Sequence, residues 1–271
     1  MPAYSAATAQ ESIMSEALDY HPRELLIVSI ARLAKGARHA AAGAQSPVPG
    51  SGLFLAQHWA MEAGEPRMQV TVLGSKKYYP FTDGGRELFD MAGQGRLDVF
   101  FLSGGQIDGH GNSNLVGVGD YPQVDVRFPG SFGSAYLFYV VPRVILFREE
   151  HTRRVFVDKV DFVSTPGTSP QNVYRPGGPV ALITPLCLFS FDRRRGRFTL
   201  ESIHEGHTLE EVLDNTGFDF DRPEIIPTTE PPSARDLEVM RNLIAPKIAD
   251  AYPKFAADMW GYAPPAESAS A

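Results

Sequence analysis

Three times in its first hundred residues this chain passes from a helical period into a short apolar strand, and that alternation leaves few folds open to it. Pro22 fits a first helical position, Leu26, Ile30 and Leu33 recur on one face, and the helix is expected to end near Gly36. A short strand follows around His39–Ala42. The glycine- and proline-rich stretch from Gly43 to Gly52 then reads as a loop, leading into a helix over Leu53–Glu62. Met68–Leu73 is rich in strand formers, and Leu97–Leu102 is a buried strand. Between them Gly85–Ala92 sets Leu88, Phe89 and Ala92 on one side of a short helix. Such alternation predicts a parallel sheet with helices on its faces.

The second half changes character. Leu137–Val141 and Val144–Phe147 read as strands interrupted by Pro142, and Arg154–Val157 as another. Pro179–Phe191 and Arg197–Ile203 flank Asp192-Arg193-Arg194-Arg195-Gly196, which reads as a β-hairpin with a solvated basic tip. Thr208-Leu209-Glu210-Glu211 fits a capping box for a short helix that stops at Gly217. Ser233 starts a last helix whose apolar face carries Leu237, Met240, Leu243 and Ile244. No repeat and no clean linker divides the chain. The expected organisation is an arm over 1–21, one α/β domain over 22–262 and a disordered tail over 263–271.

Composition excludes several classes of function. With 271 residues and 43% hydrophobic content the chain can bury a sizeable core. A net charge of −7 argues against nucleic acid as the main partner, because phosphate binding needs a basic surface. The single cysteine, Cys187, rules out an internal disulfide framework and sits in an apolar run as a small hydrophobe. No apolar stretch approaches the ~18 to 20 residues of a membrane span, and the first residues lack a signal-peptide pattern. A cytoplasmic location is expected.

The polar, glycine-dense segments follow strands, where open α/β sheets place their ligands. Gly43 and Ser46 follow the first strand. Gly104, Gly105, Gln106, Asp108, Gly109, Gly111, Asn112 and Asn114 follow the Leu97–Leu102 strand, and Gly130-Ser131-Phe132-Gly133-Ser134 makes a further turn. Glycine lets backbone N–H groups approach a bound group, and so many amide side chains exceed what turning alone requires. Asp83, ahead of Gly84-Gly85 and a helix, is either an N-cap or a carboxylate in the cleft. Lys76 and Lys77 are solvated or meet a ligand phosphate, and His110 is a loop histidine within reach of a ligand. His204 and His207 flank Glu205 with no further ligand at metal spacing, so no metal is expected. There is no G-x-S-x-G elbow, phosphate loop or dinucleotide fingerprint.

In order and spacing these segments resemble the β subunits of the family I CoA transferases. The residues that carry the likeness are Gly95-Arg96-Leu97-Asp98-Val99-Phe100-Phe101-Leu102, Gly104-Gly105-Gln106-Ile107-Asp108, Gly111-Asn112 and Pro129-Gly130-Ser131-Phe132-Gly133-Ser134-Ala135. It covers roughly residues 22–215. The resemblance implies a three-layer α/β fold, the CoA-transferase-type open sheet with helices on both faces. It also implies an α subunit of the same fold as partner, in a heterodimer or heterotetramer, and an acyl-CoA substrate with no other cofactor. One departure matters. The family carries a nucleophilic glutamate in a Ser-Glu-Asn-Gly motif after the second strand, whereas here Val70-Thr71-Val72-Leu73 leads into Gly74-Ser75-Lys76-Lys77-Tyr78, with no glutamate between Glu65 and Glu87.

Tyr79 to Asp90, Phe128 to Gly133 and Leu146-Phe147-Arg148-Glu149-Glu150-His151 resemble a narrower branch of that family. Its members hydrolyse a carbon–carbon bond in a ring of a steroid-derived CoA thioester, cholesterol or bile acid being the source. For this chain the resemblance implies a partner carboxylate as base or nucleophile. Gln106, Asn112, Asn114 and Asp83 are then candidates for orienting substrate or water, and Gly43, Ser46, Gly104, Gly105, Gly130, Gly133 and Ser134 for holding substrate and CoA. The N–H groups near Gly133 and Ser134 are candidate donors to an enolate. Three alternatives stand beside it: a transferase whose glutamate comes from the partner, a non-catalytic subunit completing a CoA cleft, and a sugar-phosphate isomerase or sensing module of related topology.

Overall fold

The computed structural model describes residues 19–82 and 85–263. Helix α1 (Pro22–Ala34) opens on a capping box in which the His21 ring accepts from Arg23 N and the Glu24 carboxylate accepts from His21 N. Strand β1 (His39–Ala42) follows, four buried residues long. Of the stretch read as a loop, residues 43–46 are one and residues 47–52 are instead the first turns of α2 (Pro47–Glu62). Pro47 and Pro49 sit in the first turn, where a missing N–H removes no helical bond. Gly52 is there for packing: a Cβ on it would stand 2.4 Å from Ile30 Cγ2 of α1.

The chain continues through β2 (Gln69–Val72), α3 (Arg86–Gly93) and β3 (Val99–Leu102), as the alternation predicts. Two small ribbons come next, β4 (Gln106–Ile107) with β5 (Ser113–Asn114), and β6 (Gly117–Val118) with β7 (Val126–Arg127). Leu137–Val141, expected as a strand, falls instead mostly in α4 (Ser134–Val140), which buries Leu137 and Phe138. Val141 before Pro142 turns extended, and the strand proper is β8 (Arg143–Phe147). Arg154–Val157 is not a strand; Phe156 makes a lone parallel bridge to Ile107. The long run from Pro179 is two strands, β9 (Pro179–Ile183) and β10 (Cys187–Asp192), and the hairpin to β11 (Arg197–Ile203) is as expected.

Helix α5 (Leu209–Asn215) is capped by Thr208. Ser233 and Asp236 form the capping box of α6 (Ala234–Val239), which widens into a π turn over Met240–Ile244 before α7 (Ala245–Ile248) and α8 (Pro253–Trp260). Pro246 has no N–H to close an α-helical bond, and the wide turn accommodates it. That turn also shifts the helix face, so Leu243, expected inside, is 45% exposed while Met240 and Ile244 are buried.

The main sheet runs β11-β10-β9-β8-β3-β1-β2. From β2 to β9 neighbours are parallel, and β10 and β11 add antiparallel strands at one edge. Side chains alternate across it. On β3, Val99 and Phe101 face the layer of α1, α2 and the C-terminal helices, while Phe100 and Leu102 face the layer holding α3, α4 and a phenylalanine-rich core. Three layers result.

Candidate active site

The order β2-β1-β3 makes a topological switch: the chain leaves β1 toward one side and returns on the other. That switch is where an open α/β sheet places its ligand crevice, outside the carboxyl ends of β1 and β3. Gly43 and Ser46 lie in the loop leaving β1, and Gln45 between them takes a left-handed φ of 56°. The α2 amino end offers little to an anion. Ser46 N donates to Tyr252 Oη (3.2 Å), Pro47 and Pro49 have no N–H, and of the first-turn groups only Val48 N–H lacks a partner among the described residues. Tyr252 Oη lies 3.3 Å from Gly43 O and 3.5 Å from Leu73 O, so one hydroxyl joins the loops leaving β1 and β2. Burial raises its pKa.

After β2 the chain turns at Ser75, whose buried hydroxyl donates to the Asp250 carboxylate and accepts from Tyr78 N (2.7 Å). Lys77 N also donates to Asp250 (3.1 Å). Burial works against that carboxylate, yet the Ser75 hydroxyl and the Lys77 N–H hold it below the ordinary range. Ser75 is therefore a turn fastener, its hydroxyl committed to the Asp250 carboxylate. The next glutamate, Glu87, accepts from Thr82 Oγ1 (2.8 Å). Asp83 lies outside the described residues.

The central glycine loop differs from expectation in where it runs. It leaves β3 at Gly104 and crosses the face of the sheet: Gly109 packs on Phe218, and Gly111 on Phe191 and on Pro179 at the amino end of β9. Its amides fasten this path. Asn114 Nδ2 donates to Gln106 Oε1 (2.7 Å) and Gly117 O (2.6 Å), while its Oδ1 accepts from Val116 N (2.9 Å). Gln106 Nε2 donates to Asp161 (3.1 Å), and Gln106 Oε1 also accepts from Asp161 N (3.0 Å). Asp108 accepts from His110 N and Asn112 N, and Asn112 Oδ1 accepts from Gly167 N (2.9 Å). Gln106 and Asn114 are thus buried, with their polar atoms bonded inside the chain, and Asn112 belongs to the far end of the loop. Gln106 and Asn114 are bonded to each other, while Asn112, at that far end, is bonded to Asp108 and Gly167. His110 lies there too, 3.3 Å from Gly196 O.

The glycines at the crevice are spent on packing and turns. A Cβ on Gly105 would strike the Phe128 ring at 2.2 Å, and Gly105 N already donates to Asn114 O (2.8 Å). A Cβ on Gly104 would come 2.7 Å from Gln106 O. Gly130 has φ 106° and donates to Leu115 O. Of the two candidate enolate donors, Ser134 N–H is committed to Ser131 O (2.8 Å), and Gly133 N–H has no partner among the described residues. Just before them Phe132 holds its ring out into solvent, resting on Phe89 of α3.

Three groups escape a local reading of the sequence. Tyr252 and Asp250 reach this end from the C-terminal helices, about as far along the chain as two residues here can be. Arg148, one residue past β8, has a buried Nε without a hydrogen-bond partner among the described residues and only a 3.4 Å contact to Glu150. Its place after the run Val144–Phe147 was the available signal. His204 is buried between Thr229 (2.7 Å) and Thr184 O (2.9 Å), and His207 pairs with Glu211. Among the described residues no cluster of metal-ligating side chains forms. Burial pushes the Cys187 thiol up to about 12, an inert group.

A mainly parallel sheet with helices on both faces and glycine turns after its strands defines a three-layer α/β fold. The family model for coenzyme A transferase matches residues 70–215, and the chain belongs to that family. It is 36% identical over 157 residues to the B-type subunit of 3-oxoadipate CoA-transferase from Pseudomonas knackmussii, a match covering 56% of this chain and 60% of the relative. It is 31% identical over 166 residues to the cholesterol ring-cleaving hydrolase IpdB subunit of Rhodococcus jostii, covering 60% of this chain and 65% of the relative. The chain therefore spans less than two thirds of the length of these curated relatives. Among solved structures, Rhodococcus jostii RHA1 IpdAB superposes with a TM-score of 0.71 at 26% identity, over 83% of this chain and 94% of that one. The decarboxylase AibA/AibB superposes with a TM-score of 0.71 at 23% identity, over 90% and 100%, a likeness of fold. Among the described residues no helix is long and apolar enough to cross a membrane.

Proposed function

We propose that this chain is the β subunit of a heteromeric enzyme that hydrolyses a ring carbon–carbon bond in a steroid-derived CoA thioester. One observation carries the reading: where a transferase needs its nucleophilic glutamate, the turn after β2 presents Ser75, whose hydroxyl is tied to Asp250 and to backbone N–H groups. The similarity to the ring-cleaving hydrolase subunit supports the branch, and the similarity to a B-type transferase subunit supports an α-type partner. A carboxylate of that partner takes a proton from water, and the oxygen attacks the ring carbonyl. The ring carbon–carbon bond breaks, its electron pair passes into the enolate of the thioester, and protonation at carbon completes the addition of one water. Gly133 N–H supplies a donor to the developing enolate oxygen. Gly43, Ser46, Gly104, Gly105 and Gly130 line the path of the thioester through their close backbone, and Gln106, Asn112 and Asn114 hold the loop that frames it. The reaction calls for no cofactor beyond the CoA that the substrate carries. The single buried cysteine fits a cytoplasmic setting.

The test uses the chain assembled with its α-type subunit and a cyclic β-keto acyl-CoA thioester in water, without an acceptor acid. Product with one water added and CoA retained is the expected result. Activity that begins only when acetate or succinate is supplied, with CoA moving to that acid, would instead mark a transferase. That reading has its own support in the 36% identity to a transferase subunit. Borohydride trapping of a reduced glutamyl residue on the partner would confirm it.

A further inference from the structure

Phe132 is the one described residue that combines a left-handed backbone with a fully presented aromatic ring. Its φ is 42°, a conformation that favours glycine and is unfavourable for a bulky side chain. Its ring is 89% exposed, so burial does not repay that strain within the chain. The position is nevertheless built around the ring. Gly85 leaves room for it, since a Cβ there would stand 3.1 Å from Phe132 Cε1, and Gly133 leaves room for Phe89, since a Cβ there would stand 2.1 Å from Phe89 Cζ. Phe89 and Phe132 have centroids 5.4 Å apart, and Tyr136 meets Phe89 edge-on at 6.2 Å. These three rings make a ledge at the carboxyl end of the sheet. There the loop leaving β2 ends at Gly85, and the segment after β3 ends at Gly133, whose N–H has no partner among the described residues.

Resting on the reading of the site as one for acyl-CoA thioesters, we propose that Phe132 is a specificity-determining residue whose exposed ring takes the ring of a cyclic acyl group while the thioester lies toward Gly133. An apolar ring in water is covered when a ring-bearing substrate arrives, and the contact is worth most for a flat or cyclic acyl group and least for a short open chain. The strained backbone aims the side chain outward, into solvent, instead of down onto α4. A ring on the acyl group thus selects among thioesters that share the same CoA.

Direct binding tests this without requiring turnover. Cyclohexanecarbonyl-CoA and butyryl-CoA are titrated calorimetrically into the assembled enzyme carrying wild-type chain, Phe132→Gly or Phe132→Tyr. Phe132→Gly relieves the strained φ, so its Tm should rise, which guards against misfolding as the cause of any loss. Its Kd for cyclohexanecarbonyl-CoA should rise about tenfold while that for butyryl-CoA stays within about twofold, and Phe132→Tyr should keep both. Equal changes for the two thioesters, or none, would overturn the proposal while leaving the CoA-thioester reading intact. Loss of assembly with the α subunit in Phe132→Gly would overturn it in favour of a protein contact. Failure of the wild-type assembly to bind either thioester would bring down the CoA reading itself.

Discussion

At the scale of single residues, the amides of the central loop show how composition and role separate. Asn, Gln and Asp beside glycine suggest ligand contacts, and the structure uses them as internal hydrogen-bond partners. Asn114 is fully buried and holds Gln106 Oε1, Gly117 O and Val116 N at once. Removing its side chain leaves those groups without partners in a dry place, where each unsatisfied group is expensive. Asn114→Ala should therefore lower stability by about 3 kcal/mol, seen as a lower urea midpoint at unchanged slope. Any loss of kcat/KM should follow the loosened loop. Wild-type stability combined with a large fall in kcat would show that Asn114 meets substrate after all.

At the scale of elements, the alternation of periods located α1, β1, β2, α3 and β3, because each has one clear apolar face or run. The errors have physical causes. Gly43 to Gly52 reads as loop from its glycine and proline, but the prolines sit where a helix tolerates them, and the glycines answer a neighbouring helix that local reading does not see. Leu137–Val141 has the look of a strand, yet its residues pack Leu137 and Phe138 down one side of a short helix ended by Pro142. Of the candidate site, the turns after β1 and β3 were legible in the glycine spacing. Tyr252, Asp250 and the inward direction of the amides depend on long-range packing and were not. Gly52 offers the sharpest test, since Ile30 Cγ2, Ile30 Cβ and Ile27 O all crowd its missing Cβ. Gly52→Ala should gain about 1 kcal/mol of helix propensity and lose more to overpacking, a net destabilisation of about 1–2 kcal/mol. Ile30→Leu removes the β-branch, so the alanine should cost less in that background. A double-mutant cycle in urea with zero coupling would refute close α1–α2 packing as the reason for this glycine.

At the scale of the whole molecule, the layer beneath β9 to β11 ties stability to pH. His204 Nε2 contacts the Thr184 carbonyl, which can only accept, so Nε2 carries the proton and Nδ1 accepts from Thr229. Thr216 donates to Val212 O, so it accepts from His151 Nε2, and His151 Nδ1 lies 2.8 Å from Thr184 Oγ1. Both imidazoles are buried without a carboxylate in contact among the described residues, which favours their neutral form. Burial lowers each from 6.5 to about 4. A histidine with a depressed folded pKa binds fewer protons folded than unfolded, so its contribution is complete above pH 6.5 and declines as pH falls toward 4. By pH 5 the loss should be about 2 kcal/mol for each histidine. The carboxylates of Glu24 and Asp98, which burial opposes but arginine partners hold low, add their own loss only at still lower pH. The urea midpoint should thus fall steeply between pH 7 and pH 5. His204→Gln keeps an amide donor toward Thr184 O without a titrating ring, and should flatten that slope by about half while lowering stability at pH 7. An unchanged slope in this variant would mean that His204 is already protonated in the folded chain.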